Sequence, residues 1–168
     1  NNLFKINNRI KKLKDVSLET EKNFEHLNIG YISTSTSDLI IPALKATSLR
    51  YNIYLDVIDA GYNQLVQIAY SKNSSFFLKN FDALVISIDY RSLPLSLSPG
   101  DKEMSQKNVN DCFNYIRNII LEIRKKTNSH IILQNIVAPT ELIFGSYESQ
   151  LVGTTRWLIK NLNLEILK

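Results

Sequence analysis

Five consecutive hydroxyl residues, Ser33-Thr34-Ser35-Thr36-Ser37, follow the apolar stretch Ile29-Gly30-Tyr31-Ile32 and lead into an amphipathic segment. Hydroxyls after a first strand offer three kinds of chemistry: a serine nucleophile, a grip on an anion, or a cap for the next helix. More polar residues stand where later strands should end, namely Asp59, Gly61, Asp89, Asn135 and Glu141. In open α/β sheets ligands bind outside the carboxyl ends of the strands, where helix amino-termini offer unpaired N–H groups. Ser33, Thr36, Asp59, Gly61, Asp89 and Asn135 are therefore candidate ligand contacts for an anion or a sugar-like group. Ser35 is the candidate nucleophile.

A serine hydrolase would use Ser35, with its own N–H and that of Gly61 as an oxyanion hole, and needs a histidine within reach. The chain has two, His26 and His130. His26 precedes the first expected strand and His130 opens the fourth, so both belong at the amino edge of the sheet. A strand of about five residues, rising roughly 3.3 Å each, puts that edge some 15 Å from Ser35. By itself the chain lacks a triad, so Ser35 is a catalyst only if a base comes from elsewhere.

Other chemistries fail on spacing. A phosphatase of the haloacid dehalogenase type needs Asp-x-Asp at a strand end, but two residues separate Asp56 from Asp59, and Asp89 is followed by Tyr90 and Arg91. A response-regulator receiver needs an acidic pair after its first strand, where this chain carries Ser33 to Ser37. The five glycines are scattered at Gly30, Gly61, Gly100, Gly145 and Gly153, so no phosphate loop is present and no dinucleotide cofactor is expected. The single cysteine, Cys112, excludes an internal disulfide and any Cys-rich metal site, in keeping with a reducing cytoplasm. It sits among Val109, Phe113 and Ile116 on one helical face and reads as a small buried hydrophobe. Neither a metal nor a cofactor is expected in this chain.

The elements that must position these residues alternate. Strands are expected over Ile29–Ile32, Ile53–Ile58, Ala83–Ile88 and Ile131–Gln134, the last three being apolar runs suited to a sheet covered on both faces. Helices are expected over about Leu39–Tyr51, Asn63–Tyr70, Glu103–Lys126 and Leu151–Ile166, with a short helical turn after Ser75. Ser37 or Asp38 is placed to cap the first, whose first turn tolerates Pro42. Gly153 falls inside the last and weakens it. Asp59-Ala60-Gly61 reads as a loop, and Ser92–Gly100 is the longest loop. This alternation implies right-handed crossovers and a three-layer α/β/α domain with a mostly parallel, doubly wound sheet of the flavodoxin type. Sheets of this kind commonly have five strands, so a final strand is expected beyond Lys168.

With 168 residues, 44% of them hydrophobic, and a mean hydropathy of -0.12, the chain suits one globular domain. No stretch approaches the roughly 18 apolar residues of a membrane span, and no signal peptide opens it. There is no initiating Met, which suggests a fragment or a processed chain. The net charge is +4, but Lys5, Arg9, Lys11, Lys12 and Lys14 hold five of the 20 basic residues, leaving 15 against 16 acidic ones. The body is nearly neutral and shows no basic stripe for nucleic acid. Leu3, Ile6, Ile10 and Leu13 give the basic segment an apolar stripe at helical spacing. Residues 1–27 thus read as a basic amphipathic helix and linker, and residues 28–168 as the α/β domain.

The stretch Ile32 to Leu39 with Pro42-Ala43-Leu44, the segment Ala60-Gly61-Tyr62-Asn63-Gln64 and the strand Asp82 to Asp89 resemble the amino-terminal domain of FkbH-like proteins. Gln134-Asn135, Pro139, Gly145 and Leu162-Asn163 extend the resemblance over nearly the whole chain. That domain is similar in fold to SGNH hydrolases. By resemblance Ser35 falls at the nucleophile position, Gly61 at the second-block glycine and Asp89 near the third block. The chain lacks the Gly-Asp before the serine, the Gly-x-Asn-Asp of the third block and the final Asp-x-x-His. In the family a haloacid-dehalogenase-type domain follows, and members move a glyceryl group from a phosphorylated donor to an acyl carrier protein. The resemblance implies an accessory, cytoplasmic domain that recognises a carrier protein, its phosphopantetheine arm, or an acyl or glyceryl group. The alternative is an esterase or acyltransferase using Ser35 and a histidine from outside the chain.

Overall fold

A computed structural model describes residues 24–72, 74–141 and 143–168. The basic amphipathic helix expected near the amino terminus lies outside the described residues. Four strands, β1 (Glu25–Ser33), β2 (Ile53–Tyr62), β3 (Ala83–Ser87) and β4 (His130–Leu133), form one sheet in the order β2-β1-β3-β4. Every pairing is parallel. Among the described residues four α-helices alternate with them: α1 (Ile40–Ser48), α2 (Leu65–Tyr70), α3 (Lys102–Arg124) and α4 (Thr155–Ile166).

The strand order reverses at β1, because the chain leaves β1 toward β2 on one side and returns to β3 on the other. Right-handed crossovers running in opposite directions put their helices on opposite faces of a sheet. The domain is accordingly α/β with helical layers on both faces, as expected from the sequence.

Register and alternation sort the side chains. Gly30 pairs with Leu84 and Ile32 with Ile86, so these four share one face. Ile32, Leu84 and Ile86 pack there against Leu65 and Ile68 of α2, Val109, Cys112 and Ile116 of α3, and Leu158 and Leu162 of α4. Gly30 leaves room for that layer: a Cβ on it would lie 2.4 Å from Leu84 Cδ2 and 2.9 Å from Phe76 Cζ. Asp101 starts α3 by accepting the Met104 N–H at 2.9 Å, and Thr154 starts α4 by accepting that of Trp157 at 3.4 Å.

Four expectations are corrected. The first strand begins at Glu25 and not at Ile29, so Glu25, His26 and Leu27 pair with Ile53, Tyr54 and Leu55 as strand and are not linker. The second strand does not stop at Ile58 but runs to Tyr62, because a bulge sets Tyr31 opposite Asp59 and Ser33 opposite Tyr62. Neither Ser37 nor Asp38 caps α1 through its side chain: Leu39 occupies the cap, and the Ser37 carbonyl accepts the Ile40 and Ile41 N–H groups at 3.0 Å each. The last helix begins at Thr155, with Gly153 in a turn at φ +81° instead of inside the helix.

Cys112 is fully buried on α3, as its apolar neighbours imply. Burial, with a smaller contribution from Asp111, pushes its thiol up to about 11. Below pH 9 the native thiol is protonated and shielded, so a maleimide reagent should label it only as fast as the domain opens. Labelling at the rate of an exposed thiol would sink that expectation. The raised value also means that stability contributed by this group is complete below pH 9 and is lost as pH climbs through 11.

Candidate functional site

The topological switch point lies between β1 and β3, and the hydroxyl run leaves β1 at that position. The five hydroxyls have different jobs. Ser33 is buried, and its Oγ accepts the Ser35 N–H at 3.0 Å and lies 3.1 Å from Ser35 Oγ, closing a tight turn. Thr34, also buried, ties the loop to the end of β3. Its N–H donates to the Ser87 carbonyl at 3.1 Å, while its Oγ1 accepts the Asp89 N–H at 2.8 Å and lies 2.9 Å from Ser92 Oγ. Ser37 is buried at the other side and donates to Asp59 Oδ2 at the end of β2.

These ties consume Ser33, Thr34 and Ser37 in holding three strand ends together. Ser35 is half-buried and Thr36 is exposed. They are the two hydroxyl residues of the run that face outward from this framework.

Around them stand the carboxylates. Asp59 Oδ1 accepts the Gly61 N–H at 3.1 Å, so Gly61, at φ +90° in the β2 bulge, is already engaged. Asp89 Oδ1 accepts the Arg91 N–H at 2.8 Å, and its Oδ2 lies 3.7 Å from Arg91 Nη1. The Arg91 guanidinium stacks over the Tyr90 ring at 5.1 Å. Tyr90 first, then the charges of Asp89 and Glu141, hold its pKa above the usual arginine value. Asn135 is exposed beyond β4, and Glu141 is exposed on the following loop.

The nucleophile question turns on two geometric facts. Both N–H groups suggested for an oxyanion hole are committed inside the chain, that of Ser35 to Ser33 Oγ and that of Gly61 to Asp59. Both histidines lie at the amino edge: His26 is the second residue of β1, stacked on Tyr54 at 5.1 Å, and His130 is the first of β4. Ser35 therefore has no histidine beside it among the described residues, and its side chain meets the Ser33 hydroxyl. Nor do these residues gather three or more His, Cys, Asp or Glu side chains into a group that could hold a metal ion.

Sequence reasoning missed Arg91 and Ser92, which complete the contacts of Asp89 and Thr34. The signal was present, since an Asx-type turn from Asp89 was legible in Asp89-Tyr90-Arg91-Ser92. What was hidden was its partner, Thr34, 55 residues away from Asp89.

No protein-family model and no curated protein matches the sequence. Among solved structures, the chain is similar to the crystal structure of the N-terminal part of the protein BF1531 from Bacteroides fragilis, which contains a phosphatase domain complexed with Mg. The TM-score is 0.67 at 19% identity, and the likeness covers 94% of this chain and 41% of that one. It shows a shared fold, and this chain spans about two fifths of that structure's length.

Proposed function

We propose that this chain is an accessory binding and positioning domain of an FkbH-like protein, of the SGNH-like type. Its strand ends recognise an acyl carrier protein, the phosphopantetheine arm, or the acyl or glyceryl group being moved. The observation that carries the reading is the exposure of Ser35 and Thr36 at the switch point, with both histidines at the opposite edge and the Ser35 and Gly61 N–H groups already bonded. Such an arrangement can make hydrogen bonds but not a nucleophile.

Two further lines support it. The sequence resembles the amino-terminal domain of FkbH-like proteins along nearly its whole length. The structurally similar Bacteroides fragilis chain is much longer and contains a phosphatase domain, in keeping with a haloacid-dehalogenase-type partner domain that does the phosphate chemistry. A cytoplasmic setting belongs to the same reading. Among the described residues no helix is long and apolar enough to cross a membrane.

Titration of the isotope-labelled protein with a loaded carrier protein, followed by NMR, tests the proposal. Amide signals of Ser35, Thr36 and Asp89 should shift in a saturable way. An unchanged spectrum at millimolar carrier protein would overturn it. The esterase alternative makes the opposite demand, that a fluorophosphonate labels the protein and that Ser35→Ala abolishes the label. The binding reading expects no labelling in either form.

A further inference from the structure

The two faces of the sheet are finished differently. Buried side chains of α2, α3 and α4 pack with Ile32, Leu84 and Ile86 on one face, and no residue of α1 belongs to that cluster. On the other face α1 packs against β2. Among the described residues no α-helix therefore stands over β3 and β4 on that second face.

Tyr31, Val85 and Ile132 form a row across it, since Tyr31 pairs with Val85 and Val85 with Ile132. Burial fades along the row: Tyr31 is 1% exposed, Val85 half-buried and Ile132 52% exposed. Ile29 and Ala83, one row nearer the amino edge, are half-buried too. Parallel sheets are ordinarily covered on both faces, so an apolar row that opens toward β4 lacks a layer. Tyr31 adds a polar signal. Its hydroxyl is buried with no hydrogen-bond partner among the described residues, and such a group costs free energy until a donor or acceptor reaches it.

The chain carries a segment suited to this gap. Residues 1–23 precede Phe24, and β1, which they lead into at Glu25, is flanked by strands on both sides. At helical spacing Leu3, Ile6, Ile10 and Leu13 fall on one side and Lys5, Lys11 and Lys12 on the other. A stripe from Leu3 to Leu13 is about 15 Å long at roughly 1.5 Å per residue, and the five residues of β3 rise about 16 Å. Residues 14–23 can span up to about 33 Å, enough to turn back from the start of β1 and lie along β3. A tethered segment also has an effective concentration on the order of millimolar, which a second copy or a free partner does not reach in dilute solution.

We infer that residues 1–23 cover the β3–β4 half of this face, with Leu3, Ile6, Ile10 and Leu13 against Val85 and Ile132. The basic side chains face outward, and a polar side chain of the segment meets Tyr31 Oη. The segment thus completes the layer beside α1, whether or not the strand ends bind a ligand.

Thiol labelling of the full chain tests this cover. Ile132→Cys, read by peptide mass spectrometry apart from the buried Cys112, should react with maleimide at least about tenfold more slowly than Val137→Cys, whose position is 69% exposed. Adding Ile6→Asp and Ile10→Asp should bring the two rates together while Cys112 stays slow. Equal rates with the stripe intact, or protection that survives the stripe substitutions, overturn the inference; surviving protection that fades on dilution assigns the face to a second copy instead. If the stripe substitutions also speed Cys112, the domain itself has opened, and a nitroxide at Lys12→Cys in a Cys112→Ser chain gives the answer. Broadening of the Val85 and Ile132 amide signals beyond those of Ile116 and Ile119, which lie in the opposite layer, supports the cover. Equal broadening overturns it.

Discussion

Replacing Gly153 with alanine is expected to lower the unfolding free energy by about 3 kcal/mol or more, among the larger effects a single methyl group can have. Two costs combine. Gly153 has φ +81°, a left-handed conformation that costs a residue with a Cβ about 1 kcal/mol. Its Cβ would also stand 2.1 Å from the Ser98 carbonyl oxygen and 2.6 Å from Ser105 Oγ. The first obstacle is backbone, so no rotamer change relieves it. The two loops must separate, and that breaks the bonds joining them, Ser98 N–H to the Gly153 carbonyl at 3.2 Å and Gly100 N–H to the Val152 carbonyl at 2.9 Å. Gly100 is the internal control. It has φ +84° but nothing within 4 Å of the position a methyl group would take, so Gly100→Ala should cost only the backbone part, about 1 kcal/mol. Urea unfolding of both variants separates the contributions. Equal losses would mean that the clash is absent in solution.

The same glycine shows where sequence reading stops. Leu151, Leu158, Leu162 and Ile166 keep a helical rhythm, so the pattern places Gly153 inside a helix. The helix begins only at Thr155, capped by Thr154, while Gly153 lies in a turn bonded to Ser98 more than fifty residues earlier, and hydrophobic periodicity carries no trace of that contact. The strands are more legible, because continuous apolar runs such as Ala83–Ile88 have few alternatives once flanked by polar breaks. The strand Ile53–Tyr62 is longer than its sequence suggests. Asp59 and Gly61 look like a loop, but the bulge opposite Tyr31 and Ser33 absorbs the extra residue and keeps the strand going.

At the candidate site the neighbourhood is legible and the bonding is not. The alternation of elements brings Ser33 to Ser37, Asp59 and Asp89 to one edge, since any parallel doubly wound sheet puts all its strand ends there. Which hydroxyl faces a ligand depends on partners far along the chain: Ser37 donates to Asp59, and Thr34 accepts from Asp89. A Ser or Thr run announces hydrogen-bonding capacity without saying which groups use it up. The exclusion of both histidines survives because a strand's direction alone decides which end each occupies.

The second large effect is expected at Lys126, which the sequence presents as one more basic residue in Arg124-Lys125-Lys126. Its ammonium donates to the carbonyls of Ile68 at 2.6 Å, Ala69 at 2.5 Å and Ser71 at 2.7 Å, closing the carboxyl end of α2, and it stands 5.7 Å from the Phe77 ring centre. Helix ends leave their last carbonyls without partners, and a cation there is favoured by the helix dipole as well. Burial draws the Lys126 pKa below the usual lysine value, opposed by the charge of Glu122. Lys126→Met retains the apolar stem and removes all three bonds, for an expected loss of about 2 kcal/mol. Lys125 is the contrast. It pairs with Glu122 at 2.5 Å on the surface, with most of its side chain exposed, and Lys125→Met should cost less than about 0.5 kcal/mol. Salt distinguishes the two in a way that stability alone does not. The acceptors of Lys126 are neutral and in contact, so its loss should persist in about 1 M NaCl, whereas any contribution of Lys125 should vanish. A Lys126→Met loss that disappeared at high salt would mean that the side chain acts as a surface charge and leaves the end of α2 to the solvent.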